Sequence, residues 1–127
     1  DGVNAPWPIS VAADIVVINH GINDATHYGG PRFTEYRIAP QALARAPARV
    51  VFETPNIVKG WDPAPYAKTM REVAAASGST VADTYAYTAA LPDWQTLIPD
   101  WAHPSQPLYL AIARDVLAPA VISAACQ

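Results

Sequence analysis

The sequence predicts a parallel α/β domain, because short apolar runs alternate with segments of helical periodicity along its 127 residues. Continuous runs rich in β-branched residues are typical of strands buried on both faces of a parallel sheet. The longer segments between them carry apolar residues at the spacing of a helix. The order strand, helix, strand, helix, strand, helix implies parallel strands joined by right-handed crossovers.

The N-terminal part of the chain supplies the first strand and the first helix, after a Pro-rich lead-in. The apolar run 13–19 predicts the strand, and the following segment 19–32, rich in Gly, Asn, Asp and His, predicts a loop. Residues 33–46 predict a helix that Pro40 must break or offset, because proline lacks the backbone N–H of a helical residue.

The middle of the chain supplies a second strand and a second helix. Residues 50–52 predict the strand, which ends at the turn-forming segment 54–56 and continues into a loop over 57–63. Residues 65–76 predict a helix that stops at Ser77-Gly78. Its apolar positions recur at helical spacing, at Tyr66, Met70, Val73 and Ala74.

The C-terminal part supplies the third strand and the last helix. Residues 80–84 predict the strand, and 85–99 predict a loop that contains one short helix. Residues 106–125 predict the last helix, with Ser105 as its N-cap and a kink or end of regular structure at Pro119. Its predicted apolar side consists of Leu108, Leu110, Ile112, Val116, Leu117 and Val121.

Composition describes one globular domain and excludes several classes of partner. Of the residues, 51% are hydrophobic and 15% are charged, and the net charge is −3. This acidic balance and the lack of a Lys/Arg stripe argue against a nucleic-acid partner. No apolar run approaches the roughly 18 residues of a membrane span, so no membrane partner is predicted. The single cysteine, Cys126, excludes an internal disulfide and a Cys-based zinc cluster.

A polar motif, His20-Gly21-Ile22-Asn23-Asp24, directly follows the first predicted strand. The Asn23 carboxamide is a neutral donor suited to a developing oxyanion, and Gly21 permits positive φ and close approach of substrate to the backbone. Taken alone, the motif is more often a loop stabilised by Asx turns. His20 is expected to pack or hydrogen-bond near the cleft.

A second motif, Asp100-Trp101-Ala102-His103-Pro104, lies just before the last predicted helix. A histidine that acts as general base needs one ring nitrogen facing the nucleophile and the other held by an acceptor. Asp100, three residues before His103, can reach that second nitrogen. Taken alone, the pair is more often a turn residue and a surface histidine. Ligands of parallel sheets bind at the carboxyl ends of the strands, and both motifs fit that edge.

The three histidines, His20, His27 and His103, raise the question of a metal site. Their spacing does not match a common zinc pattern, and the helical HExxH motif is absent. The sequence therefore predicts no metal site, and no cofactor is expected.

At these motifs the sequence resembles the SGNH hydrolases, also called the GDSL esterase/lipase family. Residues 21–24 match the family's GxND block, and Asp100 to His103 match its DxxH block. The strand ending in Thr54-Pro55 and the strand at 81–83 also look like those of the family, so the resemblance covers nearly all of the chain.

The resemblance implies a flavodoxin-like three-layer α/β/α sandwich with a parallel sheet, in which residues 1–127 form the C-terminal part of a single domain. It implies ester hydrolysis through an acyl-enzyme, without a cofactor. His103 is then the general base and Asp100 its orienting partner. Asn23 and Gly21 belong to the oxyanion hole, and His20 and Trp101 are candidates for substrate binding.

The family's Gly-Asp-Ser block, which carries the nucleophile, is absent from the sequence. None of the five serines, Ser10, Ser77, Ser79, Ser105 and Ser123, follows a Gly-Asp pair. A complete member needs roughly 50–80 further upstream residues, judged from usual domain size. We therefore expect an SGNH fold that is incomplete at its N-terminus, and a complementary N-terminal polypeptide that carries the serine.

Two other functions fit the same residues. One is a catalytically inactive carbohydrate-binding module that kept the fold and lost the nucleophile, and the other is an O-acyltransferase on the same scaffold. Aromatic residues before His103, namely Tyr85, Tyr87, Trp94 and Trp101, favour a carbohydrate ester as substrate, although packing is the commoner role of such residues. The compartment cannot be read from the chain, and an extracellular location is favoured.

Overall fold

The three predicted strands form one parallel sheet in the computed structural model, which describes residues 13–19, 21–22 and 48–127. The strands are β1 (Ile15–Asn19), β2 (Arg49–Glu53) and β3 (Thr80–Ala82), in the spatial order β1-β2-β3. Both strand pairs are parallel, as the alternating pattern predicts. The predicted helix at 33–46 lies outside the described residues.

The described helices surround this sheet and follow β2 and β3 along the chain. They are α1 (Ala64–Ser77), α2 (Thr84–Ala89), α3 (Trp94–Leu97), α4 (Gln106–Ile112) and α5 (Ala118–Ala125). A π-helical segment, Ala113–Leu117, joins α4 to α5, so that 106–125 is one continuous helix with a distorted middle.

The central strand β2 is covered on both faces, which explains its continuous apolar run. On one face, Val50 and Phe52 pack with Val73 and Ala74 of α1. On the other, Val51 packs with a pair of small residues of α5, Ala120 and Ala124. Phe52 and Val51 are fully buried, and burial of such a side chain stabilises the fold by about 1.5–3 kcal/mol. The arrangement is a helix layer on each side of a parallel sheet.

Helix α1 matches its prediction closely. The residues predicted to face the core, Tyr66, Met70, Val73 and Ala74, are all buried. The helix ends at Gly78, whose φ of 68° lies in the left-handed region and whose N–H donates to the Ala74 carbonyl. A glycine is favoured there because a Cβ is strained at positive φ.

The structure corrects the prediction for the region after β3. The strand ends at Ala82 rather than at residue 84, because Asp83 caps the next helix with a bond from the Ala86 N–H. The segment 85–99 is not a loop with one short helix, since α2 and α3 occupy most of it. Local capping by Asp83 outweighs the β propensity of the Thr and Tyr residues that follow it.

The last helix also departs from its prediction at three positions. Ser105 occupies the N-cap position, but its hydroxyl makes no capping bond and is buried without a partner among the described residues. The distortion attributed to Pro119 lies at 113–117, where a wider helical turn accommodates the ring and the missing N–H. Leu110 is not on the apolar side, since it is 64% exposed, whereas Leu108 and Ile112 are buried.

This last helix is long and apolar enough to cross a membrane by length and composition alone. One side of α5 packs against β2 and β3, but only 22% of the most apolar stretch of this helix is buried among the described residues. A single helix of this kind is weak evidence for a membrane span. The absence of a membrane partner therefore stays a prediction.

An ion pair between Arg71 of α1 and Asp83 fastens α1 to the start of α2. Nε and Nη2 of Arg71 donate to the two carboxylate oxygens over 2.7 and 2.8 Å. Partial burial raises the pKa of Asp83, but the hydrogen bonds from Arg71, Ala86 and Thr54 outweigh it, and the pKa is lowered overall. A lowered pKa means that the native state favours the ionised carboxylate.

We expect Asp83→Ala to lower the free energy of unfolding by about 1–3 kcal/mol, since it removes a helix cap and a bidentate ion pair. A native carboxylate with a lowered pKa stabilises above its unfolded pKa of about 3.9, and the stabilisation is lost as pH falls through the native value. Urea unfolding at pH 7 and pH 3 measures both effects. Asp93→Ala is the matched control, because Asp93 precedes α3 without a side-chain capping bond.

Candidate functional site

The first motif begins at the carboxyl end of β1. Gly21, two residues beyond the strand, is buried and has φ of 121°. This is the positive φ expected of a glycine that shapes a turn, and a side chain there would strain the backbone. His20 and Asn23 lie outside the described residues, so their predicted roles stay predictions.

The structure brings Asp100 and His103 into direct contact. Nδ1 of His103 lies 2.7 Å from Oδ2 of Asp100, so a protonated Nδ1 donates to the carboxylate. The other oxygen, Oδ1, accepts the backbone N–H groups of Ala102 at 2.8 Å and His103 at 2.7 Å. The carboxylate thus fixes both the turn and the ring, and it orients Nε2 as the nitrogen left for a nucleophile.

These contacts favour the ionised form of Asp100. The backbone N–H of His103 makes the largest contribution, followed by the N–H of Ala102 and the imidazole, and together they lower the pKa of Asp100 to about 2. The carboxylate is therefore charged at every pH at which a histidine base operates. A charged acceptor stabilises the imidazolium that forms when the base takes a proton.

The pair lies at the surface, next to an aromatic side chain. The side chain of His103 is 69% exposed and that of Asp100 is 47% exposed. Trp101 is 46% exposed, and its ring meets the imidazole edge-on with 6.2 Å between the ring centroids. Trp101 is thus placed where a group bound beside His103 would touch it.

The loop that carries the pair is attached to the segment that follows β2. The Lys59 N–H donates to the Trp101 carbonyl over 2.8 Å, and Nδ2 of Asn56 donates to the Ala102 carbonyl over 2.9 Å. These bonds hold residues 100–103 against the chain beyond the carboxyl end of β2. Sequence reasoning missed Asn56, because Thr54-Pro55-Asn56 has the composition of an ordinary turn.

The other aromatic residues near the motif have structural contacts. Tyr87 and Trp94 pack against a cluster formed by Ile98, Leu108 and Ile112. The Tyr85 hydroxyl donates to Asp62. Packing thus explains these three rings, and Trp101 is left as the candidate for substrate contact.

The described part of the chain contains no group of three or more His, Cys, Asp or Glu side chains that could hold a metal. His20 and His27 lie outside it. The expected lack of a metal and of a cofactor stays a prediction.

Two solved structures have the same fold. One is a lipase/acylhydrolase from Enterococcus faecalis, with a TM-score of 0.67 and 23% identity over 79% of this chain. The other is a mutant of an acetyl-xylooligosaccharide esterase from Geobacillus Stearmophilus, with a TM-score of 0.63 and 21% identity over 80% of this chain. No family model and no curated protein matches the sequence.

The two comparisons confirm the expected fold. The parallel sheet with its helices is part of an SGNH hydrolase fold, as the resemblance of the two sequence blocks implies. The chain covers 57% of the first solved protein and 56% of the second, so it spans a little over half of their length.

Proposed function

We propose that this chain is part of a serine esterase that hydrolyses carboxylic esters through an acyl-enzyme. The observation that carries the proposal is the Asp100–His103 pair, in which one carboxylate oxygen contacts Nδ1 and the other anchors the turn. This is the arrangement that a general base requires. The fold shared with a lipase/acylhydrolase and an acetylester esterase supports ester bonds as the target.

In the proposed reaction, a serine Oγ attacks the ester carbonyl carbon while Nε2 of His103 accepts the hydroxyl proton. The tetrahedral oxyanion is held by Asn23 and by the backbone beside Gly21. Collapse breaks the ester C–O bond, and the alcohol leaves with the proton from His103. Water then attacks the acyl-enzyme with His103 again as base, which releases the acid and restores the serine hydroxyl.

The nucleophile is proposed to come from residues outside these 127, on the same polypeptide or on a complementary one. Ser77 and Ser79 bond to each other at the end of α1, and the buried Ser105 hydroxyl has no partner, His103 included, in the part of the chain that the structure describes. Ser123 lies in α5, and Ser10 lies outside the described residues. The added segment would extend the sheet and bring its serine to the carboxyl edge.

For the substrate, we propose O-acetyl groups on a carbohydrate. Trp101 is the supporting residue, because an exposed indole beside the base can stack on a sugar ring. His20 is proposed to line the same cleft. The acetyl-xylooligosaccharide esterase shares the fold, which agrees with this substrate class.

Product analysis with the completed protein tests the proposal. An acetylated xylooligosaccharide should release free acetate in water, and an added acceptor sugar should not divert the acetyl group. Transfer of the acetyl group to the acceptor sugar would show that the protein is an acyltransferase rather than a hydrolase. Binding of the oligosaccharide without any release of acetate would identify a binding module.

We expect Asn23→Ala to lower kcat on the order of 10²–10³-fold, because one donor to the transition-state oxyanion is lost. Steady-state hydrolysis of a chromogenic acetate ester measures the effect. Gln95→Ala removes an exposed carboxamide on α3 and serves as the control, with unchanged turnover expected. If Asn23→Ala turns over at the rate of the control, the assignment of Asn23 to the oxyanion hole is refuted.

A further inference from the structure

The side chain of Asn56 is buried between the end of β2 and the loop that carries His103. The residue is 7% exposed. Its Nδ2 donates to the Ile57 carbonyl over 2.8 Å and to the Ala102 carbonyl over 2.9 Å. One amide group thus satisfies a carbonyl on each of two segments that are far apart in the sequence.

Ala102, the residue before His103, is held from two sides. Its N–H donates to Oδ1 of Asp100 over 2.8 Å, and its carbonyl accepts from Asn56. The Ala102 side chain is buried, at 1% exposure. The Asp100 carboxylate therefore stabilises the conformation of the turn at 100–103, and Asn56 fixes the position of that turn relative to the sheet.

The segment that carries Asn56 is itself anchored on its other side. Thr54 donates to Asp83 over 3.1 Å and accepts the Tyr85 N–H over 2.9 Å. The Ile57 N–H donates to the Thr88 hydroxyl over 3.0 Å. Asn56 thus connects a support built from β3 and α2 to the loop at 100–103.

His103 depends on this connection, because packing contributes little to the position of its ring. The imidazole is 69% exposed and its partner carboxylate 47% exposed, so few side chains surround either group. The position of the ring must follow from the backbone of its loop. That backbone is tied to the sheet end by the bonds from Asn56 and from the Lys59 N–H.

We propose that Asn56 is a positioning residue that sets the place of His103 in the esterase by holding the Ala102 carbonyl. The expected effect on turnover rests on the proposed function. The expected effect on the position of His103 does not, because it needs no catalysis. Without the amide, the Ala102 carbonyl loses its donor in a buried place, and the loop moves to reach water. The contact between Asp100 and His103 is then no longer held at one position.

The first test is ¹⁵N and ¹H NMR of the histidine rings in Asn56→Ala. In the wild-type protein, a downfield Nδ1 proton that disappears in His103→Gln assigns the bond to Asp100. We expect this signal to be lost in Asn56→Ala. Thr69→Val is the matched control, since it removes a buried hydroxyl that donates to the Pro65 carbonyl within α1, and it should keep the signal.

Asn56→Leu separates the hydrogen bonds from the volume of the side chain. Leucine has nearly the same size and shape as asparagine but cannot donate to the two carbonyls, so the Nδ1 signal should again be lost. In the completed enzyme, both variants should lower kcat roughly 10²-fold with KM unchanged, as expected for a displaced base. A wild-type Nδ1 signal in either variant would overturn the proposal.

A measurement on the wild-type protein covers the case in which both variants fail to fold. The side-chain amide protons of Asn56 should exchange slowly with water, because Nδ2 donates to two carbonyls in a buried place. Fast exchange of these protons would refute the connection. Neither NMR measurement requires a nucleophile. An NMR result that refutes the role of Asn56 therefore leaves the proposed esterase activity untouched. A lack of esterase activity likewise leaves the role of Asn56 in the loop untouched.

Discussion

His103→Gln is expected to abolish almost all ester hydrolysis by the completed enzyme, with a fall in kcat on the order of 10⁶-fold. Glutamine keeps a polar side chain of similar reach but cannot accept the proton of a serine hydroxyl at neutral pH. Because His103 is 69% exposed, the substitution should leave the fold intact, and urea unfolding should show stability within about 0.5 kcal/mol of wild type.

The measurement is single-turnover acylation with a chromogenic ester, which isolates the step that needs the base. Tyr109→Phe is a matched surface control, since Tyr109 is 52% exposed on α4 and has no part in the proposed chemistry. If His103→Gln acylates at the rate of this control, the assignment of His103 as general base is refuted.

Asp100→Asn is expected to lower kcat by about 10⁴-fold. The amide fills the same space, but its NH₂ group cannot accept a hydrogen bond, so one oxygen is left for the three N–H donors that the carboxylate now accepts. Without a charged acceptor at Nδ1, the ring adopts the wrong tautomer for a base at Nε2. The drop should be in kcat rather than in KM, because in the proposed mechanism Asp100 acts through His103.

The pH dependence of turnover checks the same pair. A histidine base must be neutral to accept a proton, so turnover should rise with pH between about pH 5 and 8. The pKa of Asp100, lowered to about 2, keeps the carboxylate ionised throughout that range. The acid side of the profile should therefore fit one ionisation, and a flat profile between about pH 5 and 8 would contradict the assignment of His103.

The sheet and α1 were predictable because their sequence patterns have one simple physical cause. The run around Val50 to Phe52 is apolar at every position because helices cover both faces of β2. In α1, apolar residues recur every three or four positions, and Gly78 supplies the left-handed stop. Such patterns report which residues are buried and where the backbone turns, and they can be recognised without knowing which distant segment covers each residue.

The departures come from contacts that sequence spacing does not show. Asp83 caps α2 and binds Arg71, which ends β3 early and converts a predicted loop into a helix. Ser105 is of a residue type that is common at N-caps and occupies the N-cap position, but its hydroxyl makes no capping bond. Capping depends on side-chain rotamers and on neighbouring segments, so the residue type alone does not decide it.

Part of the candidate site was predictable, because one of its contacts joins residues that are close in the sequence. Asp100 and His103 are three residues apart, so their contact is local and follows from the motif. The bond from Asn56 to Ala102 spans 46 residues, and only the folded chain brings the two together. Neither block describes a binding cleft, so the substrate was not predictable from the two blocks.

The most direct test of the central claim is an intact-mass spectrum of the purified protein after treatment with a fluorophosphonate, which reacts covalently with activated serines. We expect one label, on a serine outside these 127 residues, and loss of that label in His103→Gln. A label on a serine of this chain, or labelling that does not depend on His103, would contradict a nucleophile supplied from outside and activated by the Asp100–His103 pair.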